Sequence, residues 1–108
     1  MHRQVIFMQS VIYGVLQEEK QRNLDRQEMY KQEIDSLRKG SIKVKYKANR
    51  PYYYLQYRVG NKVVQDYIGK DEKAIESVKQ ELEKRKYLQS VLKRLQREHK
   101  EISKIVKG

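Results

Sequence analysis

Two periodicities divide the chain. Val5, Met8, Ile12, Val15/Leu16, Leu24, Tyr30, Ile34 and Leu37 recur at the spacing of one helical face, and the positions between Glu18 and Arg38 are nearly all Glu, Lys, Gln, Arg or Asp. The pattern predicts a helix over about residues 4–39, with Gly40 placed as a C-cap and with Gly14 and the polar stretch 17–23 as possible breaks. From Ser41 to Gly69 the period falls to two, and Ile42, Val44 and Tyr46 alternate with Lys43, Lys45 and Lys47. Ala48 to Pro51 reads as a four-residue turn, Tyr52 to Val59 as a second strand, Gly60-Asn61 as a tight turn and Lys62 to Ile68 as a third strand.

These loops imply a register. The tight turn sets Val59 opposite Lys62, Tyr57 opposite Val64 and Tyr53 opposite Ile68. The longer turn sets Val44 opposite Leu55 and Ile42 opposite Tyr57. Both hairpins then bury Ile42, Val44, Tyr46, Tyr53, Leu55, Tyr57, Val64 and Ile68, with Asp66 anomalously among them. The opposite face carries Lys43, Lys45, Lys47, Tyr52, Tyr54, Gln56, Arg58, Val63, Gln65 and Tyr67. Asp71 is an N-cap for a second helical region. Its first apolar run, Ala74, Ile75, Val78 and Leu82, is out of phase with a second, Leu88, Leu92, Leu95, His99, Ile102 and Val106. Either a bend at Lys84-Arg85-Lys86 or one curved helix accommodates that. The expected fold class is α+β, in which an N-terminal helix (1–39), a basic three-stranded meander (40–70) and a helical segment (71–108) together make one domain.

Charge changes the picture more than size does. The 108 residues carry a formal net charge of +11. Residues 1–40 hold seven Lys/Arg against six Asp/Glu, residues 41–69 six against one, and residues 70–108 twelve against seven. A cationic excess that starts at the first strand attracts polyanions. No cysteine is present, which rules out disulfides and thiolate metal sites and fits a cytoplasmic location. The apolar stretch Val5–Leu16 is too short to span a bilayer.

Catalytic chemistry has little to work with. His2 and His99 are the only histidines and lack ligand spacing, and His99 lies on the apolar stripe of its helix. The serines have no nucleophile-elbow context, and the five glycines are too scattered for a phosphate loop. The chain is therefore read as a non-enzymatic protein with no cofactor and no metal.

The stretch Arg50-Pro51-Tyr52-Tyr53-Tyr54-Leu55-Gln56-Tyr57-Arg58-Val59-Gly60, with Lys62-Val63, Tyr67-Ile68-Gly69-Lys70 and Gly40-Ser41-Ile42, resembles an uncharacterised family of short bacterial and archaeal proteins over about residues 40–87. Many of its members carry cysteines in the first turn, where this chain has Ala48-Asn49-Arg50, so the resemblance implies no metal-bound loop here. Gly-Ser-Ile, three strands and a helix opened by Lys70 to Ala74 are also similar to the three-stranded arm-binding domains of phage integrases, which lay their sheet in the DNA major groove.

The expected function is nucleic-acid binding, DNA or RNA, by a protein of a phage or mobile element. Lys43, Lys45, Lys47 and Arg58 would neutralise phosphates, Tyr52, Tyr54 and Tyr67 would stack on bases, and Gln56 and Arg58 would read base edges. A second basic set, Lys84, Arg85, Lys86, Lys93, Arg94, Arg97 and Lys100, lies on the last helical segment. Two alternatives stay open: an anti-CRISPR-like inhibitor that binds a nucleic-acid-processing effector, and a coiled-coil adaptor. Val5, Phe7, Met8, Ile12 and Leu16 make an apolar surface expected to pair with a second copy or another partner.

Overall fold

The computed structural model describes residues 2–107, with side chains from Met8 onward. Helix α1 spans His2–Ser36, strands β1, β2 and β3 span Ser41–Lys47, Arg50–Val59 and Lys62–Gly69, and helix α2 spans Glu72–Ile105. The strands form one antiparallel sheet in the order β1-β2-β3. The chain is α+β, as its periodicities predict. Helix α1 continues unbroken through Gly14 and the polar stretch, and α2 is a single helix across Lys84-Arg85-Lys86. The chain divides into two compact units, residues 1–33 with 89–108, and residues 34–88.

The helical unit pairs the first part of α1 with the last part of α2. Leu16, Lys20, Asn23, Gln27 and Tyr30, spaced four, three, four and three residues apart, are the half-buried or buried positions of α1 that face this seam. The sequence stripe through Leu24 is not the packed one, since Leu24 is 40% exposed whereas Asn23 is 2% exposed. Asn23 Nδ2 donates to the Leu95 carbonyl at 2.9 Å, and its Oδ1 accepts from Gln27 Nε2 at 2.7 Å. Buried amides that satisfy one another in this way avoid the desolvation cost of an unpaired polar group. From α2 come Val91 and Leu95, and Val106 follows just past its last residue; all three are buried. Lys20 Nζ reaches the Val106 carbonyl at 3.4 Å, setting a cation at the negative end of α2.

In the second unit, Leu55 forms a core with Ile34, Ile75, Val78 and Leu88. The phase break read between the two apolar runs of α2 is filled by Arg85, which is half-buried and donates from Nε to the Ile34 carbonyl at 3.4 Å. Near the end of α1, the Arg38 amide donates to Glu81 Oε1 at 2.7 Å. Gly40 is not the C-cap: α1 has already ended at Ser36. Its φ of +122° and the lack of a Cβ let the chain pass the Gln56 carbonyl, against which a side chain would collide.

Both hairpins turn on two residues. Ala48 and Asn49 have φ of 50° and 62°, the consecutive left-handed pair of a type I′ turn, and Lys47 faces Arg50. The four-residue turn read from Pro51 is therefore corrected: Val44 faces Tyr53 and Ile42 faces Leu55. Pro51 fits inside β2 because its position opposite Tyr46 is a non-hydrogen-bonded one, and β3 pairs no further along β2 than Tyr53. A slip of two residues preserves which face each side chain takes. In the second hairpin Val59 faces Lys62 and Tyr57 faces Val64 as expected, but an irregularity between Tyr53 and Tyr54 puts Tyr53 opposite Gly69 instead of Ile68.

The inner sheet face is covered only in part. Leu55 is 5% exposed, whereas Val44 and Tyr46, expected to be buried, are 42% and 73% exposed. They lie toward the hairpin tip, away from the position opposite Leu55. Asp66 is explained. It is exposed and directly opposite Leu55, and it accepts a 2.7 Å hydrogen bond from the Tyr57 hydroxyl.

Two outcomes test this packing. Leu55→Ala is expected to lower unfolding free energy by about 2–5 kcal/mol in urea titrations, the usual cost of truncating a buried leucine. The hydrogen bond to Asp66, with smaller contributions from desolvation and the carboxylate's charge, raises the Tyr57 pKa above the ordinary phenol value. The stabilisation from neutral Tyr57 is therefore complete below the unfolded-chain value near pH ~10 and disappears as pH rises through the folded one. Tyr57→Phe should not show that alkaline decline, read as a flatter dependence of the urea midpoint on pH above that value.

Candidate nucleic-acid interface

Strand alternation gathers the candidate side chains on the outer sheet face. Across the strands Lys43 faces Tyr54, which faces Tyr67. Lys45 faces Tyr52, Ser41 faces Gln56, which faces Gln65, and Arg58 faces Val63. The face therefore holds Lys43, Lys45, Lys47 and Arg58 together with Tyr52, Tyr54, Gln56 and Tyr67, as the sequence register predicts. All four cations are exposed. Residues 41–69 contain one acid, Asp66, and its position opposite Leu55 puts it on the inner face. The outer face thus has no carboxylate of its own to neutralise it.

The tyrosines form a cluster. Tyr54 and Tyr67 have ring centroids 5.3 Å apart with planes inclined by 53°, and Tyr52 and Tyr67 lie 6.3 Å apart at 39°. These tilted arrangements suit the ring quadrupoles. Lys45 Nζ lies 5.0 Å from the Tyr54 ring centre, and Lys70 Nζ lies 5.1 Å from that of Tyr52, both within cation–π range. Tyr67 is exposed where Tyr52 and Tyr54 are half-buried, so its ring is the most open platform of the three. Gln65 Nε2 donates to Gln56 Oε1 at 2.8 Å and holds the neighbouring amide in place. The chemistry on offer is phosphate neutralisation beside aromatic surface, with hydrogen-bond donors between them.

Sequence reasoning missed Lys70 and Arg50. Lys70 follows the last strand and joins the cluster only because the chain leaves β3 beside Tyr52. Arg50 reads as part of a turn, but it begins β2 opposite Lys47, on the outer face. Even-numbered positions of β2 share that face, which is the signal that would have found it.

Lys84 and Arg85 belong to the sheet-bearing unit, and Arg85 is engaged with the end of α1. Lys93, Arg94 and Arg97 belong to the helical unit. There Lys93, Arg97, Lys100 and Lys104 follow a four-three-four spacing and are all exposed, giving a cationic stripe along the end of α2. Arg94 lies off that stripe and pairs with Glu98 at 3.6 Å, and Lys104 pairs with Glu101 at 3.1 Å. Of the apolar surface expected near the N-terminus, Met8 and Ile12 are exposed and Leu16 is half-buried, while the side chains of Val5 and Phe7 lie outside the described residues.

A cavity of about 860 Å³ opens on the inner side of the sheet, lined by Leu55, Tyr57, Asp66, Val78 and Arg85 among others. Its polar groups are largely matched within the protein: Asp66 bonds Tyr57, and Arg38 lies 3.7 Å from Glu81. It has no excess of one charge comparable with the outer face. Among the described residues no cluster of metal-ligating side chains occurs, and no helix is long and apolar enough to cross a membrane.

Fold and surface together define a small α+β protein with two long helices and a three-stranded meander that is basic and aromatic on one face. Residues 16–80 match the family described as a domain of unknown function (DUF6788), and the chain belongs to that family. No curated protein and no solved structure matches it.

The Gly40 close approach yields a direct test. Gly40→Ala should destabilise the sheet-bearing unit, since its Cβ would strike the Gln56 carbonyl at a backbone conformation that L-residues rarely adopt. A lowered thermal midpoint is the expected reading, and an unchanged one would show that the close approach relaxes freely.

Proposed function

We propose that the protein is a non-enzymatic nucleic-acid-binding protein of a phage or mobile element, and that it binds through the outer face of its sheet. The observation that carries this reading is the cation-rich face without an acid, built around the Tyr52–Tyr54–Tyr67 cluster. Cations there displace condensed counterions from a phosphate backbone, and open tyrosine rings offer stacking to unpaired bases. The order of three strands followed by a helix, with Gly40-Ser41-Ile42 at its start, supports the similarity to integrase arm-binding domains and the link to mobile elements. The Pro51-Tyr52-Tyr53-Tyr54-Leu55 core is the motif by which we relate it to short bacterial and archaeal proteins.

Titration against labelled single- and double-stranded oligonucleotides at two salt concentrations tests the proposal. Replacing Lys43, Lys45, Lys47 and Arg58 by alanine should flatten the log–log salt dependence on duplex DNA by about 0.9 for each phosphate no longer neutralised. Tyr67→Ala should weaken single-strand binding by about 1–3 kcal/mol, and that weakening should persist at high salt. Binding by the quadruple variant with the parent's affinity and slope would remove this face from the site. Parent binding that vanishes at physiological salt would favour docking on a nucleic-acid-processing effector instead.

A further inference from the structure

Helix α1 runs past the end of its partner. The Val106 carbonyl at the end of α2 is met by Lys20, and Val106 shares a small cavity with Gln17, Lys20, Gln21 and Leu24. N-terminal to that point Leu16 is half-buried, but the other described apolar side chains of α1 are open: Met8, Ile12 and Val15 are each more than half exposed, at 57%, 54% and 53%, and Val11 and Tyr13 are exposed beside them. The segment is nonetheless helical from His2 onward. It lacks the features that sustain a helix in water. Val5, Ile6, Val11, Ile12 and Val15 are β-branched, Gly14 is the poorest former after proline, and no charged pair reinforces it. A lone helix of this length is marginal even with good formers, so its stability must come from packing.

We infer that a second copy of this chain covers the segment, the two α1 N-termini lying antiparallel. Val5, Met8, Ile12 and Val15 are spaced three, four and three residues apart, the a and d positions of a short heptad seam. Reversed on itself, that seam places position 5 against 15 and position 8 against 12, so the pattern is self-complementary in a two-fold interface. Charge points to the same occupant. No residue from Gln4 to Gln17 is charged, so two copies of a +11 protein meet there without pressing cation on cation. The antiparallel arrangement also brings the His2-Arg3 end of one copy beside the Glu18-Glu19 end of the other. A parallel pair would instead set like charges together at both ends.

This proposal stands apart from the nucleic-acid reading and is tested without nucleic acid. Sedimentation equilibrium of the full chain should show twice the monomer mass at micromolar concentration, and Ile12→Asp should return the monomer with an intact urea transition. Because the chain has no cysteine, single cysteines report orientation. Gln9→Cys lies near the two-fold centre and should form a disulfide-linked dimer on oxidation. Gln17→Cys should not, because fourteen residues of helical offset separate its two copies by about 21 Å. A parent that stays monomeric at all concentrations, or that binds phosphatidylcholine vesicles through this segment without doubling its mass in solution, overturns the proposal. So does linkage through position 17 as efficient as through position 9.

Discussion

Sheet register is the constraint on which the rest of this protein depends. Side chains alternate along a strand, so a slip of one residue would send Lys43, Lys45 and Lys47 to the side of Leu55 and bring Ile42 and Val44 out to the tyrosines. The left-handed pair Ala48-Asn49 fixes the first hairpin against that slip, and Gly60, with φ of +61°, fixes the second. Core and surface are therefore two readings of the same two turns. Leu55 can be buried beside Ile75 and Val78 because its neighbours Tyr54 and Gln56 point the other way.

Much of this is legible in the sequence, and the failures have physical causes. The element types and the facing of the strands follow from periodicity, and the facing survives a misjudged first turn because the error is two residues, an even number. Pro51 misleads because proline ordinarily ends a strand, yet here it occupies a position where a strand needs no N–H from it. The seam of α1 escapes for a different reason. Its central positions are Lys20, Asn23 and Gln27, and an apolar periodicity cannot reveal a contact made by amides. Arg85 hides the continuity of α2 in the same way.

The candidate surface is legible where it depends on alternation and illegible where it depends on the path of the chain. Lys43, Lys45, Lys47, Tyr52, Tyr54, Gln56, Arg58 and Tyr67 share a face because strands impose it. Lys70 meets Tyr52 only through the course of the chain after Gly69, whose φ of +116° no pattern of side chains records. Arg85 is set apart from the other basic residues of α2 for a similar reason: a run of cations in sequence says nothing of which one a neighbouring carbonyl will claim.

The amides of the helical seam have a consequence for temperature. Burial of apolar surface gives unfolding its positive heat-capacity change, and burial of polar surface opposes it. Asn23 and Gln27 occupy positions where a coiled coil would ordinarily hold leucine or valine. Opening this seam exposes less apolar area per residue than an all-aliphatic one would, so the free energy that holds it varies less steeply on cooling as well as on heating. The helix pair is thereby suited to keep its register over a broad range of temperature, with a shallow stability maximum in place of a deep one.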